Sequence, residues 1–442
     1  MSSPNDYPAL RAAWWLVAVL FVTACFSYAD RLVLSVLVDP LRQSLGLSDS
    51  AIGVVQGPAF TLVYVFAALF FGRLADRRNR RNTVLAGATA WCIATILCGL
   101  ANSFETLLAA RMLLGVSEAA LLPASVSMIA DSFAPERRGT AVGLYSMGTV
   151  IGGPLGISAG GALLSAAESG SFSTLPVVGA LEPWRAVLVA MGVIGLLSPV
   201  LLLMVREPRR QAVSDDGSWR AAVQYVVSER RILVPLYLGM AMLSIGDYGL
   251  VSWVPATLSR RFEWGADQSG LWFGVITSVA GVGGALCGGW FSDLGRKLAG
   301  LRGRLFISII GGAIATAGAL AVAGNHAALV LAGLGLWVFA STVAAIGAIA
   351  ILQEVVPNQF RGTAVSILTF CNTLLGLGCG PTLVALATDH IYGAPTSVGF
   401  AISTAVVPAG VIAMVAFAIS RRQLRNNPVA AQSAANPLRS SA

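Results

Sequence analysis

Charge is scarce in this sequence: Asp, Glu, Lys and Arg make up 11% of the 442 residues, where a soluble globular domain carries about 25%. That scarcity excludes a soluble domain of ordinary surface. Lysine is scarcer still. Lys297 is the only one, and Leu298 follows it, so the Gly-Lys-Ser/Thr loop that cradles nucleotide phosphates is missing. The chain is not expected to draw energy from ATP that way. The two histidines, His326 and His390, fall at the ends of apolar runs, a poor place for a proton relay. All six cysteines (Cys25, Cys92, Cys98, Cys287, Cys371 and Cys379) lie inside apolar runs. They lack the spacing of a zinc site and read as small packing residues. With no embedded histidine and no nucleophile–base pair, the expectation is a protein that is not an enzyme and has neither cofactor nor metal.

What the chain has in abundance is apolar length: 56% of its residues are hydrophobic, with a mean hydropathy of +0.76. Twelve runs are long enough to span a bilayer as helices. They fall near 14–38, 51–75, 83–101, 105–131, 137–165 and 185–205, then 232–257, 269–292, 303–323, 326–355, 361–388 and 396–420. The first run follows a short polar tail and continues into further spans, so no cleavable leader is expected. Runs of this length predict an all-α membrane protein; a β-barrel would show shorter alternating segments.

The net charge of +8 does not point to nucleic acid, because the arginines sit in short loops. Alternate loops are basic, with Arg73, Arg77, Arg78, Arg80 and Arg81 in the first and Arg137 and Arg138 in the second. The opposite loops hold little beyond Arg42, Arg185, Arg260 and Arg261. The positive-inside rule then places both termini in the cytoplasm, and the expected location is the inner membrane of a bacterium. The segment 206–231 is the longest polar stretch and reads as a cytoplasmic linker carrying a short amphipathic helix. It divides an N-terminal six-helix bundle, 1–205, from a C-terminal one, 232–422, and a Ser-, Asn- and Ala-rich tail, 423–442, is expected to be disordered.

An internal repeat supports that division. RGTAV occurs at Arg138–Val142 and, 223 residues on, at Arg361–Val365. Asp131 and Glu354 share that offset. Gly72–Asp76 and Gly289–Asp293 are 217 apart, as are Asp30 and Asp247. Two parallel six-helix repeats form a secondary-transporter architecture, in which the substrate site lies at mid-membrane between them.

Charges inside the runs locate the expected site. Asp30 and Arg31 stand about midway along the first run, and a charge at bilayer depth costs about 2.5–3.5 kcal/mol on insertion scales. Arg111 and Glu118, seven apart, share one face of the fourth helix. Asp30 and Glu118 are the expected proton carriers, and Arg31 and Arg111 the expected anion-binding groups. In the second half Arg31 is replaced by Tyr248 and helix 10 has no counterpart to Arg111 or Glu118. The cavity residues expected there are Tyr248, Trp253, Phe370 and Asn372. A cavity charged on one side and apolar and aromatic on the other suits an amphipathic anion.

The loop GRLADRRNRR, Gly72–Arg81, resembles the signature between helices 2 and 3 of the major facilitator superfamily, with Asn79 in place of its second glycine. RMLLGVSEAA in the fourth helix resembles that superfamily's helix-4 signature. The resemblance, which covers essentially the whole chain, implies two pseudo-symmetric six-helix bundles. Gly72, Asp76, Arg77, Arg80, Asp131 and Arg138 would form a cytoplasmic gate, with Asp293, Arg296, Glu354 and Arg361 as its second-half equivalent. Gly72 is expected to allow close helix approach, and Asn79 to tolerate a left-handed turn. YADR in helix 1, the D-S-F ending of helix 4 and VREPRR after helix 6 resemble the spinster-like branch, which includes lysolipid and sphingosine-phosphate transporters. Anion:cation symporters of organic acids share the Tyr-x-Asp-Arg and Arg…Glu-Ala patterns. GTVIGGPLGISAGG in helix 5 departs from the motif of drug antiporters and reads as small-residue packing around a proline. The expected function is proton-coupled transport of a lysophospholipid-like or sphingosine-phosphate-like anion by a monomer in the lipid bilayer. Organic-anion/proton symport and drug/proton antiport remain the alternatives, with a membrane-embedded enzyme the remote one.

Overall fold

The computed structural model describes residues 7–174, 178–210 and 219–424. The tail from 425, residues 211–218 of the linker and the side chain of Asp76 lie outside the described residues. Twelve helices are long and apolar enough to cross a membrane. Spans 1 to 6 are Leu10–Ser35, Asp49–Ala75, Arg80–Gly99, Phe104–Ser132, Pro135–Glu168 and Pro183–Leu203. Spans 7 to 12 are Arg230–Phe262, Ala266–Ala299, Leu301–Ala321, Ala327–Val355, Asn358–Tyr392 and Pro395–Gln423. Among the described residues there is no strand. The protein is an integral, multi-pass membrane protein, all-α as its composition requires.

The chain forms two compact units, Met1–Val213 with Pro255–Val275, and Ser214–Val254 with Ile276–Ala442. In the first, span 1 lies along span 5. A Cβ on Gly148, Gly152 or Gly156 would overlap the span 1 backbone at Phe21, Cys25 and Ala29 respectively. This small-xxx-small stripe brings the two backbones together, as small residues do where lipid supplies no hydrophobic drive between helices. The core beside it is built from Leu16, Val17, Leu20, Trp91, Met128 and Tyr145. Span 4 starts at a capping box, Ser103 with Thr106, and breaks after Glu118, resuming at Leu121. Pro123 explains the break: it has no N–H for the carbonyl of Ala119, and its ring crowds that carbonyl.

In the second unit spans 9 and 10 approach at Gly318 and Gly333, each of which would press a Cβ onto the other's carbonyl oxygen, at 2.7 and 2.6 Å. Span 11 packs on span 7 through Gly376 against Ser244 and Gly380 against the carbonyl of Ile245. It carries two π-helical turns, Asn372–Leu377 and Ala387–Tyr392. The linker does contain a short helix, Trp219–Ser228, whose Tyr225 hydroxyl donates to the carbonyl of Val355 at 2.8 Å.

Candidate functional site

Asp30 and Arg31 stand in the last turn of the regular helix Leu10–Leu32, not midway along the span, because the chain tightens into a 3-10 turn at Val33–Ser35. Both are buried, as are Arg111 and Glu118, and the structure brings the four together within the first unit. Arg31 donates to Glu118 Oε2 twice, from Nη2 at 2.5 Å and from Nε at 3.1 Å. Glu118 Oε1 has no hydrogen-bond partner. Asp30 Oδ2 accepts from the hydroxyl of Thr95 on span 3, while its Oδ1 is also buried and unpartnered. Arg111 Nε donates to the carbonyl of Val55 at 3.3 Å. No acceptor for its two Nη groups occurs among the described residues. The charges of Asp30, Glu118 and Arg111 act on one another.

Aromatic rings complete the site. The Arg31 guanidinium lies 4.5 Å from the ring centroid of Tyr28, 4.6 Å from Phe60 and 5.2 Å from Tyr64. Phe60, fully buried, also lies 5.7 Å from the Arg111 guanidinium, so one ring serves both cations. Such faces attract a guanidinium by about 0.5–2 kcal/mol each, more where water is excluded. Arg31 is thus held from several sides, whereas Arg111 keeps most of its donors open. Sequence reasoning missed Thr95, Phe60 and Tyr64, and took Tyr28 only as part of the YADR resemblance. An aromatic or a threonine in an apolar run carries no mark that distinguishes a site from packing.

The second-half candidates are placed differently from one another. Trp253 is fully buried and its indole N–H donates to the carbonyl of Pro381 at 2.9 Å, so it anchors span 11 and offers no exposed face. Phe370 is exposed, Tyr248 is half-buried, and Asn372 keeps a buried Oδ1 without a partner. Asp247 accepts from Trp337 and Ser341.

At the arginine-rich end of the spans, each unit holds an arginine knot. In the first, Arg80 is buried and binds Asp131, the carbonyl and hydroxyl of Ser127, and Glu207 at 2.8 Å. Its Nη2 donates to the carbonyl of Pro208. Glu207 was not anticipated; it belongs to the VREPRR stretch, where Arg210 also donates to the carbonyls of Ala75 and Arg78 at the end of span 2. In the second, Arg304 binds Asp293 at 3.0 Å and Glu354 at 2.8 Å, and Arg296 binds Glu354 at 3.3 Å. Asp131 and Glu354, matched by the repeat, therefore meet matched arginines, Arg80 and Arg304. Arg138 and Arg361 are matched too, each donating from Nε to the carbonyl five residues before it, Phe133 at 2.8 Å and Val356 at 3.1 Å. Arg77 is exposed.

Two expectations about this loop are corrected. A Cβ on Gly72 would meet nothing within 4 Å, so no close approach requires glycine there. Asn79 has φ −66° and ψ 115°, which is not left-handed: it is the N-cap of span 3, its side chain accepting from the Asn82 N–H at 2.8 Å. At the opposite end, Arg260 binds Asp39 Oδ1 at 2.6 Å and both oxygens of Asp49 at 2.7 and 2.8 Å, all within the first unit. Sequence had marked Arg260 only as a loop charge.

Twelve spans, a duplicated set of arginine knots and a buried charge cluster define a polytopic carrier of small molecules. The chain belongs to the Major Facilitator Superfamily, whose family profile matches residues 20–381; it is a transporter of that superfamily and not an enzyme. It is 28% identical to an "MFS-type efflux pump" of Mycolicibacterium smegmatis, over 86% of each chain. It is 27% identical to "Protein spinster homolog 1" of Xenopus laevis, over 86% of this chain and 74% of that one. A solved bacterial homolog of the human lysosomal transporter Spinster, described as inward-facing and occupied, superposes with a TM-score of 0.79 at 23% identity. That match spans 95% of this chain and 98% of the other.

Proposed function

We propose that the protein is a proton-coupled secondary transporter of an amphipathic anion, of the lysophospholipid or sphingosine-phosphate kind, working by alternating access. One observation carries this: Arg111, buried beside two carboxylates, has Nη donors that no described side chain or carbonyl accepts. A guanidinium so placed is a ready fork for a phosphate or carboxylate. Arg31 is committed to Glu118 and its aromatic cage, so Arg111 is the primary anion receptor and Arg31 the regulated one. Protonating Glu118 removes the charge that holds Arg31, which then turns toward the bound anion. The same proton neutralises a buried carboxylate that has lost its partner, the costlier of its two states. Asp30, with Oδ1 open, is the companion proton site. The resemblance to the spinster-like branch supports a substrate with a hydrocarbon part.

The arginine knots and the loop at Asp76 act as the cytoplasmic gate in this scheme, with both termini on the cytoplasmic side. Uptake into proteoliposomes with and without a pH gradient tests the coupling. Gradient-driven flux is expected to be lost in Glu118→Gln and Asp30→Asn; flux that ignores the gradient and survives both changes overturns coupling through these groups. The efflux-pump relative favours a second reading, drug/proton antiport. Competition by cationic drugs, with no competition by lysolipids or organic acids, would decide for it.

A further inference from the structure

One carboxylate in a span has no place in the scheme above. Asp247 lies in span 7, inside the second unit, 217 residues after Asp30. Its Oδ1 accepts two hydrogen bonds from span 10, from Trp337 Nε1 at 2.7 Å and from Ser341 Oγ at 2.9 Å. The mount is closely built. Trp337 is fully buried, and a Cβ on Gly246 would overlap its ring, so only glycine at 246 lets the indole reach the acid. Ser341 stands 223 residues after Glu118. Where the first unit has an acid on the fourth helix of its repeat, the second has a neutral donor.

Asp247 differs from Glu118 in two ways, and from Asp30 in the second of them. It has no ion pair among the described residues, and no Arg, Lys or His hydrogen-bonds to it. Its Oδ2 makes no hydrogen bond there either, and it is not one of the sealed, orphaned atoms, so it remains accessible. The indole N–H is a donor only, and both donors load Oδ1. That oxygen accepts them equally well as part of a carboxylate or as the carbonyl of a carboxylic acid. Oδ2 can therefore gain and lose a proton while the mount stays intact, whereas protonating Glu118 dismantles its bond to Arg31.

The surroundings are neutral. Span 7 itself contributes Tyr248 and Tyr237, with Arg230, Arg231, Arg260 and Arg261 only at its two ends. Span 11, packed on it at Gly376 and Gly380, carries the thiols Cys371 and Cys379, with Arg361, Asp389, His390 and Tyr392 only at its ends. Span 10 brings Glu354 only at its far end, three turns beyond Ser341, and span 12, which meets span 7 at Gly239 and Gly249, brings only Arg421 and Arg422 at its own far end. Phenols and thiols are ordinarily uncharged at pH 7, so no fixed charge opposes or assists ionisation of Asp247.

We propose that Asp247 is a third proton-binding carboxyl of the transporter, independent of the Asp30–Glu118 cluster. Its consequence for coupling, an additional proton carried per cycle, rests on the proton-driven reading; the proton binding itself does not. The test uses the full chain in lipid nanodiscs in an Asp30→Asn/Glu118→Gln background, where failure of that reading has no effect. Infrared pH-difference spectra should keep one buried carboxyl band in this background and lose it when Asp247→Asn is added. Asparagine retains a carbonyl for Trp337 and Ser341, so the mount is preserved. Should that variant fail to fold, Ser341→Ala serves: loss of a donor that favours the ionised form should move the band's midpoint to higher pH. A band that persists after Asp247→Asn overturns the proposal, as does a midpoint unmoved by Ser341→Ala. A band displaced by sodium at constant pH also overturns it, in favour of a metal-cation site.

Discussion

Arg31 and Arg111 carry the same charge beside one ring, Phe60, but differ in commitment. Arg31 makes two bonds to Glu118 and faces three aromatic rings, and Arg111 has one backbone partner and shares one ring. Arg111→Gln should therefore weaken anion binding, by about 10–100-fold, the worth of about 1.5–3 kcal/mol in charge-assisted hydrogen bonds; equilibrium binding of a labelled lysolipid measures it. Arg31→Lys should lower thermal stability, because an ammonium cannot bond through two nitrogens and stack on rings at once. An unchanged melting temperature would refute the cage. Sequence exposed these four charged residues because charge in an apolar run is rare and expensive. It concealed which arginine was occupied, since that depends on Phe60, Tyr64 and the Val55 carbonyl arriving from another span.

At the scale of single elements, glycine and proline decide where charges sit. The stripe Gly148, Gly152 and Gly156 sets span 1 directly on span 5, and the break before Pro123 ends the helix at Glu118. Gly152→Val would force backbones apart; overpacking of this kind costs about 1–3 kcal/mol, and the displaced Asp30 turn should reduce transport along with the melting temperature. Between spans, Glu182 accepts from Ser44 at 2.5 Å, from Trp184 at 2.8 Å and from Arg185 at 3.2 Å. The Ser44 hydroxyl, before the other donors, holds its carboxyl below the usual carboxylate range. The contribution is complete above the ordinary value and is lost as pH falls through the lowered one. Hydrogen exchange around 39–48 and 181–185 should quicken only in that acid window, and Glu182→Gln should remove the dependence. The stripe was legible in sequence as a spacing. Asn79 as a cap was not, because Asn serves caps and left-handed turns alike.

Over the whole molecule, duplication is written in partners as well as in letters. Arg80 with Asp131 and Arg304 with Glu354 repeat one contact in two units, as do the Arg138 and Arg361 caps. Asp131→Ala should leave the buried Arg80 with Glu207 as its one remaining carboxylate, at a cost below the about 3–5 kcal/mol of a buried pair broken outright. Glu354→Ala, whose arginine partners are more exposed, should cost less; equal losses in a denaturation series would contradict the difference in burial. The RGTAV copies made the repeat legible. The Arg80–Glu207 contact was hidden, because nothing in a linker's composition shows that it folds back onto a helix end.

The shortage of lysine has a practical corollary. Lys297 is exposed at the end of span 8, next to the Arg296 that grips Glu354. It is the chain's only side-chain amine. An amine-reactive fluorophore would thus find one side chain to label without any engineered cysteine, and its brightness would follow the second arginine knot as it forms and breaks in real time.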